Sequence, residues 1–194
     1  MPTRRGCCSW PSWARGQTAR GSKPPSANVA SRTTGRRSEW RATQFVRGRE
    51  FVVAFDHGED FFASLEKVCA EHAIRAGYIP AFVGGFSSAK LVGTCGPLEN
   101  PEAPLWDHIE LETLEALGTG TLAWDPDRDC LSPHIHVSTG LKADSADGRT
   151  SHLLAAQVQF IAELVIVEIT SPSLTRPRQP SLFDVPLLTF DEQR

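Results

Sequence analysis

The feature that most constrains the fold of this 194-residue chain is a succession of short β-rich segments interrupted by only one long amphipathic helix. The segments are rich in β-branched and aromatic residues, and breaks of hairpin length rather than regular helices separate them. This pattern predicts an α+β fold, with a central, mainly antiparallel β-sheet and one or two helices packed on it, one of them long. The predicted strands are residues 49–55, 78–83, 89–93, 109–114, 117–124, 134–137, 158–161, 164–169 and 185–190.

The long helix is predicted to follow Asp60, since acidic residues favour the positive end of the helix dipole. Gly77 stands where a left-handed residue could end the helix. One face is apolar at helical spacing and the opposite face is charged, so the helix is expected to pack one side on the sheet. The apolar positions are Phe61, Phe62, Leu65, Val68, Cys69 and Ala73.

Charge divides the chain into two parts. Residues 1–40 hold eight basic residues and one acid, whereas the remaining 154 residues carry a net charge of −10. The first part is rich in Ser, Thr, Gly, Pro and Arg, so we predict a disordered basic tail at residues 1–43 and one domain at 44–194. The tail could be a nucleic-acid-binding arm, an organellar presequence or a segment without function. Its candidate phosphate contacts are Arg4, Arg5, Arg15, Arg20, Arg32, Arg36 and Arg37.

Apolar runs and cysteines bound the cellular setting. No uninterrupted apolar stretch is long enough to span a membrane, and the opening lacks the apolar core of a secretory signal. The five cysteines are odd in number and form no Cys-x-x-Cys pair. They are therefore expected to be reduced thiols rather than a disulfide framework or a zinc ribbon. We predict a cytoplasmic protein with no membrane partner.

The sharpest chemical signal is Pro133-His134-Ile135-His136-Val137. In a strand, alternation puts both imidazoles on one face and the two aliphatic side chains on the other. His152 follows a loop-like stretch at residues 144–148 and reaches the pair if the two segments form a hairpin. Three imidazoles around one divalent ion form a zinc-type site with a fourth position open. The alternative interpretation is that these are histidines of an ordinary sheet.

Three further motifs and one cysteine give weaker signals. Asp125-Pro-Asp127-Arg-Asp129 resembles the start of a calcium loop but lacks its glycine and its closing glutamate, so we predict a hairpin turn. Gly118-Thr-Gly120 lacks the third glycine of a dinucleotide-binding loop. Gly84-Gly85 indicates a bulge or a close approach of backbones. Cys130 could be a nucleophile, although a small buried side chain is the commoner role.

Several short motifs follow one another along the chain, at Arg49 and at residues 58–61, 69–77, 83–91, 115–120, 133–137 and 152–153. Their order resembles that of the plants-and-prokaryotes-conserved (PPC) domain. The resemblance covers residues 44–170 and departs from the usual family pattern at Thr150-Ser151, where two glycines commonly precede the histidine. It implies a trimer, a mainly antiparallel sheet, grouped histidines as a metal site, and an association with DNA-binding proteins.

Two functions remain open at this point. The first is a trimeric, DNA-associated regulatory protein with a three-histidine metal site, its DNA contact made by the tail because the body is acidic. The second is a metal-dependent lyase or hydrolase for a small oxygenated substrate, because the fold implied by the resemblance is similar to that of acetolactate decarboxylase. An enzyme also needs an acid or base, and whether the chain is catalytic is left open. The candidates are Glu112, Glu115, Asp144 and Asp147.

Overall fold

The computed structural model describes residues 41–94, 106–141, 148–182 and 184–190. Within them, long antiparallel strands and a single α-helix confirm the predicted α+β class. Residues 1–40 of the predicted tail lie outside the described residues. The elements are β1 (Val46–Asp56), α1 (Phe61–Glu71), β2 (Gly77–Thr94), β3 (Trp106–Asp125), β4 (Cys130–Leu141), β5 (Gly148–Ser171), β6 (Leu174–Thr175), β7 (Arg178–Gln179), a 3₁₀ turn (Pro180–Leu182), β8 (Val185–Pro186) and β9 (Thr189–Phe190).

Four strands of the main sheet close on themselves. β2 pairs with β3, β3 with β4, β4 with β5, and β5 with β2, all antiparallel. β1 extends the sheet by pairing with β5, and β6 joins β3 in a short parallel contact. Helix α1 packs its buried side on the same apolar core that the strands enclose. The core is built on Phe55, Phe61, Phe82, Phe86, Leu122, Ile135 and Leu153, all almost fully buried.

Several strands are longer than predicted, because apparent breaks are irregularities inside continuous strands. The predicted segments 78–83 and 89–93 are both part of β2. The break between them, Gly84-Gly85, is a bulge as expected: Gly84 pairs with Ala162 but Gly85 with Gln159. A Cβ on Gly85 would lie 2.6 Å from the carbonyl oxygen of Gln159. Only glycine therefore permits this approach of the backbones.

Other predicted strands also differ from the observed ones. The pairs 109–114 with 117–124 and 158–161 with 164–169 are each one strand, β3 and β5. The last predicted strand, 185–190, is instead divided into the two-residue strands β8 and β9. The run of apolar residues predicts one strand, but Leu187 and Leu188 lie between two separate pairings.

Helix α1 begins as predicted and ends earlier. The Asp60 side chain accepts a hydrogen bond from the Ala63 N–H at 2.9 Å, an N-cap. The helix ends at Glu71 rather than near Gly77, because Ala73 takes a left-handed conformation with φ 54°. The Ile74 N–H then donates to the Cys69 carbonyl at 2.8 Å, which completes a Schellman motif without glycine.

The cysteines correct one expectation. Cys130 is disulfide-bonded, so the prediction that all thiols are reduced is wrong. Cys69 is a free, buried thiol on α1, and burial raises its pKa to about 12. Neither is a candidate nucleophile, because one is oxidised and the other is held in the uncharged form.

The turn between β3 and β4 is the predicted hairpin. The Asp125 carboxylate accepts hydrogen bonds from the N–H groups of Asp127 and Arg128 at 2.9 and 3.1 Å. This acidic side chain therefore shapes a turn instead of binding calcium. In the parts of the chain that the structure describes, no helix has the length and apolar character needed to cross a membrane.

Candidate metal site

Three histidines meet on the outer face of the closed sheet. Along β4, His134 and His136 are exposed whereas Ile135 and Val137 are buried, as the alternation of a strand requires. His152 on β5 lies directly opposite His136 in the antiparallel ladder. The two histidine segments therefore form the hairpin on which the predicted site depends, and this hairpin brings His152 to the other two histidines.

The distances are short enough for a shared ligand. Nε2 of His134 lies 3.1 Å from Nε2 of His136, and the ring centroids of His152 are 4.9 Å and 5.4 Å from those of His134 and His136. One nitrogen from each ring belongs to a group whose members all lie within 4.8 Å of one another. A tetrahedral ion at ~2.0–2.1 Å from each nitrogen separates its ligands by roughly 3.4 Å, so the three side chains fit a metal with small adjustments.

Two glycines of β3 let β4 approach closely enough to hold this geometry. A Cβ on Gly120 would lie 2.6 Å from the carbonyl oxygen of His134, and one on Gly118 would lie 2.8 Å from that of His136. Gly118-Thr-Gly120 was set aside in the sequence as an incomplete nucleotide motif. Its role is to admit the backbone of the histidine strand, which only the pairing of β3 with β4 reveals.

Electrostatics keep two of the three imidazoles neutral. Burial, then the charge of Arg176, then His136 lower the pKa of His134 to about 4. Burial, followed by the two other histidines and Arg176, lowers the pKa of His152 to about 3. His134 is exposed on the sheet surface, yet enough of its ring is enclosed by protein for burial to be the main cause of its lowered pKa. Neutral imidazole is the form that binds a metal, so both side chains are ready to do so at neutral pH.

Arg176 is the part of the site that sequence reasoning missed. It follows β6, is 2% exposed, and is buried beside the histidines. Its Nε donates to the Ser132 carbonyl at 3.2 Å, and its Nη2 donates to the Thr121 hydroxyl, on the residue opposite His134. Burial lowers the pKa of Arg176 to about 10, which leaves it charged at neutral pH. No local pattern in the sequence marks an arginine so far along the chain.

The two candidate acids or bases that the structure describes, Glu112 and Glu115, do not join the histidines. Glu112 and Glu115 on β3 are outside the group of residues that come within metal-binding distance. Glu115 pairs with Gly140, four positions along β4 from His136. Asp144, Asp147 and the arginines of the tail lie outside the described residues.

Comparison with known proteins decides the family. Residues 42–170 match the family model described as the Plants and Prokaryotes Conserved (PCC) domain, the family that the motifs resemble. The chain belongs to the PCC family. The matched range contains all three histidines, and Arg176 lies beyond it. A comparison with curated protein sequences finds no significant match.

Solved structures share the PCC fold. A plant- and prokaryote-conserved protein from Pyrococcus horikoshii has a TM-score of 0.64 at 20% identity, covering 80% of this chain and 99% of that one. A metal-containing protein from Archaeoglobus fulgidus has a TM-score of 0.63 at 21% identity, covering 77% and 99%. A candidate DNA-binding protein from Ralstonia eutropha has a TM-score of 0.60 at 19% identity, covering 72% and 90%. These similarities establish the fold alone.

Acetolactate decarboxylase from Bacillus subtilis also matches, at a lower TM-score. Its TM-score is 0.47 at 10% identity, and the match covers 70% of this chain and 58% of the enzyme. A similarity this distant says nothing about activity.

Proposed function

We propose that this PCC-domain protein binds one divalent metal ion per chain through His134, His136 and His152. The observation that carries the proposal is the convergence of three imidazole nitrogens within 4.8 Å of one another. Ligand sets made of imidazole favour zinc or another late first-row ion over magnesium or calcium, which prefer oxygen. We therefore infer zinc. When bound, zinc with three protein ligands keeps a fourth position for water or another ligand.

Metal analysis of the purified full chain tests this proposal. We expect about one zinc per chain after loading and gel filtration, and loss of that zinc in the variants His134→Asn, His136→Asn and His152→Asn. His57→Gln is the matched control, since His57 lies outside the cluster and glutamine keeps an acceptor for the Phe160 N–H. Retention of zinc by all three cluster variants would show that the histidines are not its ligands.

We infer, second, that the domain assembles as a trimer, as the family resemblance implies. Its outer face supports association, because it exposes large aliphatic side chains that a lone monomer would leave in water. Val83 and Leu117, paired across β2 and β3, are 48% and 57% exposed, and Val52 on β1 is 87% exposed. Light scattering on the full chain should give about three times the chain mass of 21.2 kDa. A monomer at micromolar concentration would contradict the trimer.

We propose, third, that the protein is cytoplasmic and associates with DNA through residues 1–43. Two observations support this proposal. The Ralstonia protein that shares the fold is a candidate DNA-binding protein, and the tail is positively charged whereas residues 41–194 carry a net charge of −10. Phosphate contacts through arginine predict sequence-tolerant binding that weakens steeply with salt. The test is a salt titration of duplex binding with the full chain and with a chain lacking residues 1–40. Equal binding by the shortened, acidic chain would exclude the tail as the DNA contact.

A metal-dependent lyase or hydrolase is the second candidate function. It is favoured by the exposed side of His134 and His136, which leaves a bound ion accessible to a small substrate. Such an ion would polarise a carbonyl or lower the pKa of a bound water. The zinc-loaded chain would then turn over small oxygenated substrates, and His152→Asn would not. Metal binding without turnover would favour the regulatory function.

A further inference from the structure

Arg176 is unusual because it is a buried cation for which no described residue supplies a counter-ion. The residue is 2% exposed, and its described hydrogen bonds go to the neutral oxygens of Thr121 and Ser132. Among the residues that the structure describes, no carboxylate forms an ion pair with it. The neighbouring Arg178, by contrast, is paired with Asp125 at 3.9 Å. A buried charge without an opposite charge nearby is costly in free energy. A negatively charged group close to Arg176 would therefore be stabilising.

The position of Arg176 connects it with the histidines. Its Nη2 donates to the hydroxyl of Thr121, which lies opposite His134 in the β3–β4 ladder, and its Nε donates to Ser132, two residues before His134. Its backbone N–H donates to the Trp124 carbonyl at 2.8 Å, where β6 joins β3. Arg176 is thus held in place by hydrogen bonds from both its backbone and its side chain. It cannot turn away from the site without breaking these bonds.

Among the described residues, the charges at the site would all be of one sign if a metal were bound. Three neutral imidazoles leave a divalent ion with both of its positive charges, and Arg176 adds a third. Within the described residues, the metal-binding group contains histidines and no carboxylate. Charges of like sign repel strongly where protein replaces water, so a negative ligand on the metal would relieve the repulsion. The exposed side of His134 and His136 leaves a path for it from solvent.

We propose that the three-histidine site takes a small oxyanion, of the carboxylate or phosphate class, as its exogenous ligand, and that Arg176 is the fixed cation that selects it. The proposal rests on the metal site proposed above and names the ligand class of that site. Arg176 acts through its charge and not through contact, because its side chain is buried. It is therefore a positioning residue. In the lyase or hydrolase alternative, the substrate would carry such a group.

Removal of the Arg176 charge should affect the affinity for the metal and the affinity for the anion in opposite directions. Replacement of a nearby cation by a neutral side chain removes repulsion for the metal and attraction for the anion. In the full chain, Arg176→Met should bind Co²⁺ as tightly as the unchanged protein or more tightly. Its affinity for acetate or inorganic phosphate, followed by the visible spectrum of the bound Co²⁺, should fall by about tenfold or more. Acetamide, which is neutral, should bind the two proteins equally.

Two further variants separate charge from damage. Arg176→Lys keeps the charge and should retain most of the anion affinity that Arg176→Met loses. Arg75→Met makes the same chemical change at an exposed arginine, 4.4 Å over the Trp124 ring, and should leave both affinities unchanged. Acetate and phosphate are compared in separate titrations, which shows which oxyanion the site prefers.

The outcomes distinguish the two proposals. Absence of Co²⁺ binding in the unchanged protein would overturn the metal site and this inference with it. Normal Co²⁺ binding with equal anion affinity in the unchanged protein and Arg176→Met would overturn the role of Arg176 and leave the metal site standing. Loss of both metal and anion in Arg176→Met, with recovery of the metal alone in Arg176→Lys, would show that the arginine only supports the fold.

Discussion

His136 of β4 and His152 of β5 face each other as a directly paired couple in an antiparallel ladder, with ring centroids 5.4 Å apart. Backbone pairing thus sets their separation, and two rigid strands carry three candidate ligands. His134 joins from the same face of β4, two residues away, so no loop of the described chain has to move to assemble the cluster. The candidate site is therefore a property of the sheet itself.

Metal retention should persist to unusually low pH. Protons displace a metal by binding its ligands, but the pKa values of His134 and His152 are lowered to about 4 and 3. We expect the zinc-loaded chain to keep its metal at pH 6 and to release it as the pH approaches 4, measured by dialysis and elemental analysis. A release midpoint near pH 6.5 would indicate histidines that titrate as in water.

Stability of the metal-free protein should fall below pH 6.5. His152 is neutral when folded and takes up a proton when unfolded once the pH is below its ordinary pKa of 6.5. The unfolded state then binds more protons than the folded state. The contribution of His152 to the free energy of unfolding is therefore complete above pH 6.5 and declines toward pH 3, by about 1 kcal/mol per pH unit. Urea unfolding with chelator at pH 7 and 5.5 measures the decline, which His152→Gln should reduce. An identical decline in that variant would rule out His152 as its source.

Gly120→Ala should weaken both the fold and the metal site. The added methyl group would lie 2.6 Å from the His134 carbonyl oxygen, and overpacking of this kind costs about 1–3 kcal/mol. Displacement of β4 should also lower zinc affinity, which calorimetry measures. Gly58→Ala is the control: nothing lies within 4 Å of its Cβ, although φ is +84°. It should cost stability through backbone strain and leave zinc affinity unchanged.

Ala73→Gly should stabilise the protein. Ala73 ends α1 with φ 54°, a conformation that costs a residue with a Cβ about 1–2 kcal/mol. Glycine removes that strain but adds entropy to the unfolded chain, for a net gain of about 0.5 kcal/mol. Ala70→Gly, one turn earlier and also exposed, should instead destabilise by about 1 kcal/mol. Denaturant midpoints for both variants check this, and equal losses would contradict the Schellman assignment.

Local patterns in the sequence predicted what depends on local chemistry. The strand alternation around Ile135, the start of α1 at Asp60 and the bulge at Gly84-Gly85 are all confirmed. Long-range pairing was not visible. The role of Gly120 depends on which strand lies beside it, and the burial of Arg176 depends on a segment that returns to β3 from fifty residues further along the chain.

The same dependence on distant pairing explains the errors. Gly77 was predicted to end the helix because glycine often ends helices. In the structure, the absence of a Cβ at Gly77 instead allows the close approach of the Val167 carbonyl group, 90 residues later in the chain. Glu112 and Glu115 were candidates for an active site only if folding brought them to the histidines, and their register on β3 places them elsewhere. Register is set by the whole sheet rather than by any one strand.

The pairing of β1 with β5 has a consequence for how the protein is made. Within the described residues, β1 pairs only with the C-terminal half of β5. Phe51 therefore gains its neighbour in the sheet only after Ile166 has been synthesised. A ribosome would have released all three histidines while the first strand was still without a partner. A nascent chain halted after residue 155 would thus contain all three histidines but lack the part of β5 that pairs with β1. The sheet would gain its β1 pairing only after residues 161–171 are synthesised.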